Sequence, residues 1–312
     1  MVGYAGKREV PPLGKRQSAM PNPTRLQAPA KINLTLEVLD RRPDGFHGLR
    51  SVMVPLALAD EIVVEPDQTF SFRCDDPRLG PDNLAERAFR ALASAAPAHI
   101  DLHKHIPTQA GLGGGSSDAA TVLLAAMEGA FGPLPGVEWL EIARTLGSDV
   151  PFFLVQTGAL VEGTGERVTA VGALPLWHVL IVKPPIGVSS ADAYAALDRA
   201  PRPSRPRKDS VSLRLLDALQ RGAFDEVYAL QMNDFEPVVA EAHPEIASAL
   251  IALREAGCDR PMLAGSGACV FALVRTVDEC AAMQTALNVP PDHQTFATSF
   301  AQPQTWRGTV PA

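Results

Sequence analysis

Residues 110–120 read Ala-Gly-Leu-Gly-Gly-Gly-Ser-Ser-Asp-Ala-Ala, with four glycines (Gly111, Gly113, Gly114, Gly115) in five positions. Such a run is costly inside a strand or helix. The segment before it (99–106) nevertheless has the composition of a strand, and the one after it (117–131) that of an apolar helix. A strand must therefore end and a helix begin at a glycine turn. Successive glycines let backbone N–H groups turn inward toward an anion, and a helix N-terminus adds unpaired N–H groups and partial positive charge. Either Ser116 or Ser117 can cap the helix, leaving the other hydroxyl for a phosphate or Mg²⁺. A flexible linker or a tight helix-packing turn is the plainer alternative. A Walker loop is excluded because its lysine is missing, and the spacing is a poor dinucleotide fingerprint.

A phosphate on this loop would need a cation from elsewhere in the chain. From about Leu26 onward, Ile32, Leu34, Leu36 and Val38 alternate with Lys31, Asn33, Thr35 and Glu37, the pattern of a half-buried strand. Lys31 and Asn33 share one face of it. Taken alone, Lys31 reads as a solvated strand lysine. Asp149 follows a helix expected over 138–146 and stopped by Gly147 at a C′ position. Standing ahead of Pro151, it reads first as an N-cap. The alternative is a general base that takes the proton of an attacking hydroxyl, with Lys31 offsetting charge on the transferred group. A second cluster, Leu263-Ala264-Gly265-Ser266-Gly267-Ala268-Cys269, suits a packing turn and a binding loop equally well. His103 and His105 have no third metal ligand in view and read as surface residues.

Elsewhere, Pro43-Asp44-Gly45 marks a turn between the first strand and a second over 51–58, with a third over 62–64. Helical spacing recurs over 83–95, 213–220, 224–230 and 245–255; a hairpin is expected within 155–171, and strands over 179–183 and 269–274. Without regular β-α alternation, this mixture predicts an α+β fold. A length of 312 residues suggests two domains, placed at 26–170 and 171–312. Residues 1–25, rich in proline and basic side chains, read as a disordered tail, and 199–208 as a Pro- and Arg-rich surface loop. A net charge of −7 lacks the footprint of a nucleic-acid binder. The four cysteines form no C-x-x-C pair and read as reduced thiols. Neither a signal-peptide core nor an apolar run near the ~18 residues of a membrane span is present, so a cytoplasmic protein is expected.

Together, residues 29–39, 44–47, 107–120, 146–154 and 263–271 resemble the motif set of the GHMP kinases, small-molecule kinases with their own glycine-rich phosphate loop. The most specific marks are Pro29-Ala30-Lys31-Ile32-Asn33-Leu34 and Arg42-Pro43-Asp44-Gly45-Phe46-His47. The resemblance implies a two-domain α+β kinase, with a ribosomal-protein-S5-domain-2-like N-terminal domain and a ferredoxin-like C-terminal domain meeting at the active-site cleft. It implies that Lys31 and Asp149 are the catalytic lysine and base. The ATP phosphates would lie on Pro107, Thr108, Gln109, Ala110, Gly111, Leu112, Gly113, Gly114, Gly115, Ser116 and Ser117. Phe46 and His47 match the aromatic–histidine pair at a cytosine site, with Asn33 on the substrate face, Tyr194 as a second aromatic and Ser190 as a pyrophosphate contact. Without the resemblance, 44–47 would be an ordinary turn with a buried phenylalanine. The implied ligands are ATP, Mg²⁺ held by Ser116 or Ser117, and a small acceptor alcohol carrying a cytidine diphosphate. Nucleic acid and membrane are not expected as partners, and the expected state is a monomer or weak homodimer.

Overall fold

A computed structural model describes residues 23–42, 45, 47–80, 83–200 and 210–302. The expected tail therefore lies outside the described residues as far as residue 22, as do most of the 199–208 loop and Phe46. In chain order the first half contains β1 (Thr24–Arg41), β2 (His47–Pro66), β3 (Ser71–Cys74), α1 (Leu84–Arg90), β4 (Ala98–His103), α2 (Gly114–Met127), α3 (Trp139–Leu146), α4 (Val150–Leu154), β5 (Gly158–Gly163) and β6 (Arg167–Gly172). The second half contains β7 (His178–Lys183), α5 (Ser190–Arg199), α6 (Val211–Gln220), α7 (Phe224–Leu230), β8 (Met232–Asn233), α8 (Glu236–Ala242), α9 (Pro244–Glu255), β9 (Met262–Leu263), β10 (Val270–Val274), α10 (Val277–Ala286) and β11 (Gln294–Ser299).

The first sheet runs β3-β4-β2-β1-β8, with β5 pairing to β2 and to β6. The second runs β11-β7-β10-β9. Among the described residues most pairings are antiparallel, and only β3 on β4 and β8 on β1 are parallel, which fits the expected α+β class. Helices α1 to α4 cover one face of the first sheet around Phe131, Phe152 and Phe153. Its other face shares a core with β7, β10 and α6, where Ile32, Leu34 and Val54 meet Ile181, Phe271 and Phe300. The far side of the second sheet carries α5 and α8 to α10. The chain is thus layered, and the core shared by the two sheets reaches Ile106, Ala110 and Leu112 at the edge of a cleft.

The structure departs from the sequence expectations in several places. β1 starts at Thr24 and is covered on both faces: Lys31, Asn33, Thr35 and Glu37 are 4%, 4%, 0% and 3% exposed. Alternation predicts a half-buried strand, but distant segments close over its polar side. The strands expected over 51–58 and 62–64 are one strand, β2. α2 begins at Gly114, three residues earlier than 117, because Gly113 at φ 72 supplies the turn and stands at the N-cap with no side-chain cap. Neither serine caps the helix; both lie within its first turn. Gly147 is extended (φ 171, ψ 155), not left-handed as a C′ glycine would be. All four cysteines are free.

The cover over β1 includes a cap supplied across the chain. The Glu37 carboxylate accepts hydrogen bonds from Ser210 Oγ (2.5 Å), the Ser212 amide (3.1 Å) and the Val211 amide (3.3 Å) at the start of α6. Burial pushes the Glu37 carboxyl up, but these hydrogen bonds outweigh it and leave it below its usual value. A depressed carboxyl contributes stability above its unfolded pKa of about 4.3 and loses it as pH falls through the folded value. Glu37→Ala should therefore lower the unfolding free energy at pH 7 by about 2 kcal/mol. The gap from wild type should narrow in melts below about pH 4.

Candidate functional site

The cleft forms where the glycine-rich loop, β1 and the second glycine segment converge. The Lys31 amide donates to Leu112 O at 2.8 Å, so β1 is bonded to the loop itself. Ala110 and Leu112 are buried in the core between the sheets, which anchors the loop while its glycines face the cleft. The resulting space, about 540 Å³, is lined by the loop from Pro107 to Ser116 together with Lys31, Asn33, Asp149, Ser190, Tyr194 and Gly265 to Gly267.

Lys31 is not the solvated lysine that its strand suggests when taken alone. Its ammonium donates to Asn33 Oδ1 at 2.8 Å and stands 3.6 Å from Asp149 Oδ2. Asn33 Nδ2 donates to Ser51 Oγ (2.8 Å), whose hydroxyl donates to Thr35 O (2.6 Å), so the amide oxygen is held toward the lysine. Asp149 does occupy the N-cap position of α4, with Pro151 in the first turn. Its carboxylate, however, makes no capping hydrogen bond and is 34% exposed toward the cleft. An acidic group beside a buried ammonium, at the open end of a cradle of backbone N–H groups, can accept a proton from a hydroxyl while the cation steadies an anion.

The second glycine segment, which suits a packing turn and a binding loop equally well from its sequence, packs against the first loop and lines the cleft beside it. The Cys269 amide donates to Ala110 O at 3.1 Å and the Ala268 amide to Gln109 O at 3.4 Å. Asn233 of β8 ties the segment down by donating from Nδ2 to Leu263 O (2.8 Å) and Gly265 O (2.7 Å). Gly265, Ser266 and Gly267 also line the cleft. Sequence reasoning did not pick out Asn233, because nothing local marks a two-residue strand.

Ser116 lines the cleft, whereas Ser117 is fully buried and its hydroxyl has no hydrogen-bond partner. Ser190 Oγ lies 2.9 Å from Ser266 Oγ, joining the first turn of α5 to the second glycine segment. Tyr194 stacks on His47 (centroids 5.8 Å apart, planes 11° apart) and meets Phe235 edge-on at 4.8 Å. The His47 ring is held at both nitrogens, by Leu39 O at 3.0 Å and Asp198 Oδ1 at 2.8 Å. His103 pairs with Asp75 at 3.2 Å, and His105 is exposed. Among the described residues no cluster of three or more His, Cys, Asp or Glu is arranged for a metal, and no helix is long and apolar enough to cross a membrane.

The family description "GHMP kinases N terminal domain" matches residues 83–157, and "GHMP kinases C terminal" matches 215–288. The chain is 40% identical over 269 residues to the 4-diphosphocytidyl-2-C-methyl-D-erythritol kinase of Deinococcus radiodurans, covering 83% of this chain and 87% of that one. It is 39% identical over 267 residues to the same-named kinase of Pelotomaculum thermopropionicum, with 83% and 91% covered. A crystal structure of 4-(cytidine 5'-diphospho)-2C-methyl-D-erythritol kinase superposes with TM-score 0.71 at 34% identity, covering 89% of this chain and 100% of that one. A homoserine kinase from Cytophaga hutchinsonii, at 18% identity and TM-score 0.64, shares the fold over 93% of this chain and 98% of its own.

Proposed function

Since the chain belongs to the GHMP kinase family, and within it to the 4-diphosphocytidyl-2-C-methyl-D-erythritol kinases, we propose that it moves the γ-phosphoryl group of ATP onto the 2-hydroxyl of 4-diphosphocytidyl-2-C-methyl-D-erythritol. The product is the 2-phosphate, an intermediate of non-mevalonate isoprenoid synthesis. The observation that carries this reading is the Lys31–Asp149 pair, 3.6 Å apart at the mouth of the glycine loop.

The nucleotide phosphates lie along the loop from Pro107 to Ser116, against backbone N–H groups and the start of α2. Phosphoryl transfer leaves little covalent chemistry to the protein, so catalysis is mainly positioning and charge stabilisation. Asp149 Oδ2 accepts the proton of the attacking hydroxyl. Lys31, fixed by Asn33, orients that hydroxyl and offsets negative charge on the transferring group. The cytosine stacks on Tyr194, with His47 beside it, and the acceptor's pyrophosphate lies near Ser190 and the second glycine segment. The Ser116 hydroxyl, with the nucleotide phosphates, would hold a hard cation such as Mg²⁺ that keeps several waters, and the ion would neutralise phosphate charge.

ADP release should be compared across the cytidylylated erythritol, the same erythritol phosphate without its cytidylyl group, homoserine and mevalonate. The first should exceed the others by about 100-fold or more in kcat/KM; activity confined to the last three overturns the assignment. Tyr194→Ala should raise KM for the cytidylylated acceptor by about 10-fold and leave KM for ATP near its wild-type value, because base stacking is worth roughly 1–3 kcal/mol.

A further inference from the structure

A buried cluster of charged groups lies beneath the glycine loop and takes no part in the steps above. Asp60 on β2 is fully buried, and its Oδ1 accepts the amides of His105 (2.6 Å) and Ile106 (2.8 Å), where the chain enters the loop. Asp118, 2% exposed, lies in the first half of α2, where the chain has left the loop. The Lys104 ammonium joins them, donating to Asp60 Oδ2 and, at 2.7 Å, to Asp118 Oδ2. We propose that Asp60, Lys104 and Asp118 form a clamp that fixes the two ends of the phosphate loop relative to each other and so sets the loop's grip on the nucleotide.

Two features point to a role in nucleotide binding and not in folding alone. First, Lys104 lines the cleft: a Cβ placed on Gly114 would lie 3.4 Å from its Nζ, which puts a positive charge directly under the first turn of α2. That charge adds to the helix terminus where the phosphates would lie. Second, the clamp reaches both ends of the loop. Asp60 Oδ1 holds the His105 and Ile106 amides at its entry. Asp118 Oδ2 accepts from Lys104 at its exit into α2, with Oδ1 left without a hydrogen-bond partner. These three are positioning residues, acting on the nucleotide through the loop.

The inference rests on the kinase reading, so its test includes ATP binding measured calorimetrically without any acceptor. Asp118→Ala and Lys104→Met should each raise Kd and KM for ATP by about 10-fold or more, with KM for the acceptor within about twofold of wild type. Asp118→Asn should recover most of the ATP affinity lost in Asp118→Ala, because the amide oxygen can still accept from Lys104. Circular dichroism melts establish that each variant is folded at the assay temperature. If Lys104→Met is too unstable to purify, the Asp118 pair decides the outcome. Unchanged ATP affinity in folded Asp118→Ala, an equal rise in both KM values, or Asp118→Asn as weak as Asp118→Ala would overturn the clamp. Should wild-type enzyme bind ATP with this variant pattern yet fail to phosphorylate the cytidylylated erythritol, the acceptor assignment falls and the clamp stands.

Discussion

Asp149→Asn should lower kcat by about 10³-fold while KM for ATP and for the acceptor stays within about threefold of wild type. Positioned proton acceptors contribute roughly 10²- to 10⁴-fold. Asparagine keeps the shape of the side chain and removes its ability to take a proton. The expectation depends on Asp149 being free for chemistry, and the structure bears on this directly. The residue stands at the N-cap of α4, yet its carboxylate caps nothing and lies 3.6 Å from the Lys31 ammonium. An N-cap that bonded its helix would make Asp149→Asn a small change in stability and nothing more. Steady-state ADP release, with ATP binding measured separately by calorimetry, distinguishes the two. A kcat near wild type would remove Asp149 from the mechanism, whereas unchanged binding with a collapsed kcat is the signature of a group whose help is realised at the transition state.

What the sequence made legible follows from how local each feature is. The glycine run and the β1 alternation are local and place the loop and Lys31 on their elements, and Gly147 and Pro151 place Asp149 between two helices. The roles of Lys31 and Asp149, which locally read as a solvated lysine and an N-cap, come only from the resemblance of the combined motifs. Burial of β1's polar face is not local. It depends on the start of α6 reaching Glu37 and Thr35 from more than 170 residues away, and on Gly265 closing over Lys31. Periodicity therefore reads Lys31 as exposed, although it is 4% exposed. The clamp residues were illegible for the same reason: Asp60, Lys104 and Asp118 belong to three separate segments, and only the fold makes them neighbours. α10 differs from these, because its start carries a readable signal. Thr276 and Glu279 form a capping box, a spacing that sequence alone displays.

Gly111→Ala should abolish most activity, lowering kcat/KM by about 100-fold or more, through contact and not through backbone strain alone. Gly111 sits at φ +75, which costs a residue with a side chain about 1–2 kcal/mol. A Cβ there would also lie 1.9 Å from Ala264 O and 2.9 Å from Gly267 O. Both are backbone atoms, so no side chain can rotate away. The two glycine segments must separate, which strains the Cys269-to-Ala110 and Ala268-to-Gln109 hydrogen bonds that hold the cleft wall together. Gly222 supplies the control: it lies at φ +66 after α6, and a Cβ would meet nothing within 4 Å. Gly222→Ala therefore carries the strain without the collision, and its kcat/KM should stay within about twofold of wild type, with a small drop in melting temperature. If both variants lose activity alike, left-handed strain is sufficient and the close approach of the two segments is incidental. Loss in Gly111→Ala alone would mean that the cleft is shaped by two backbones meeting where only glycine leaves room.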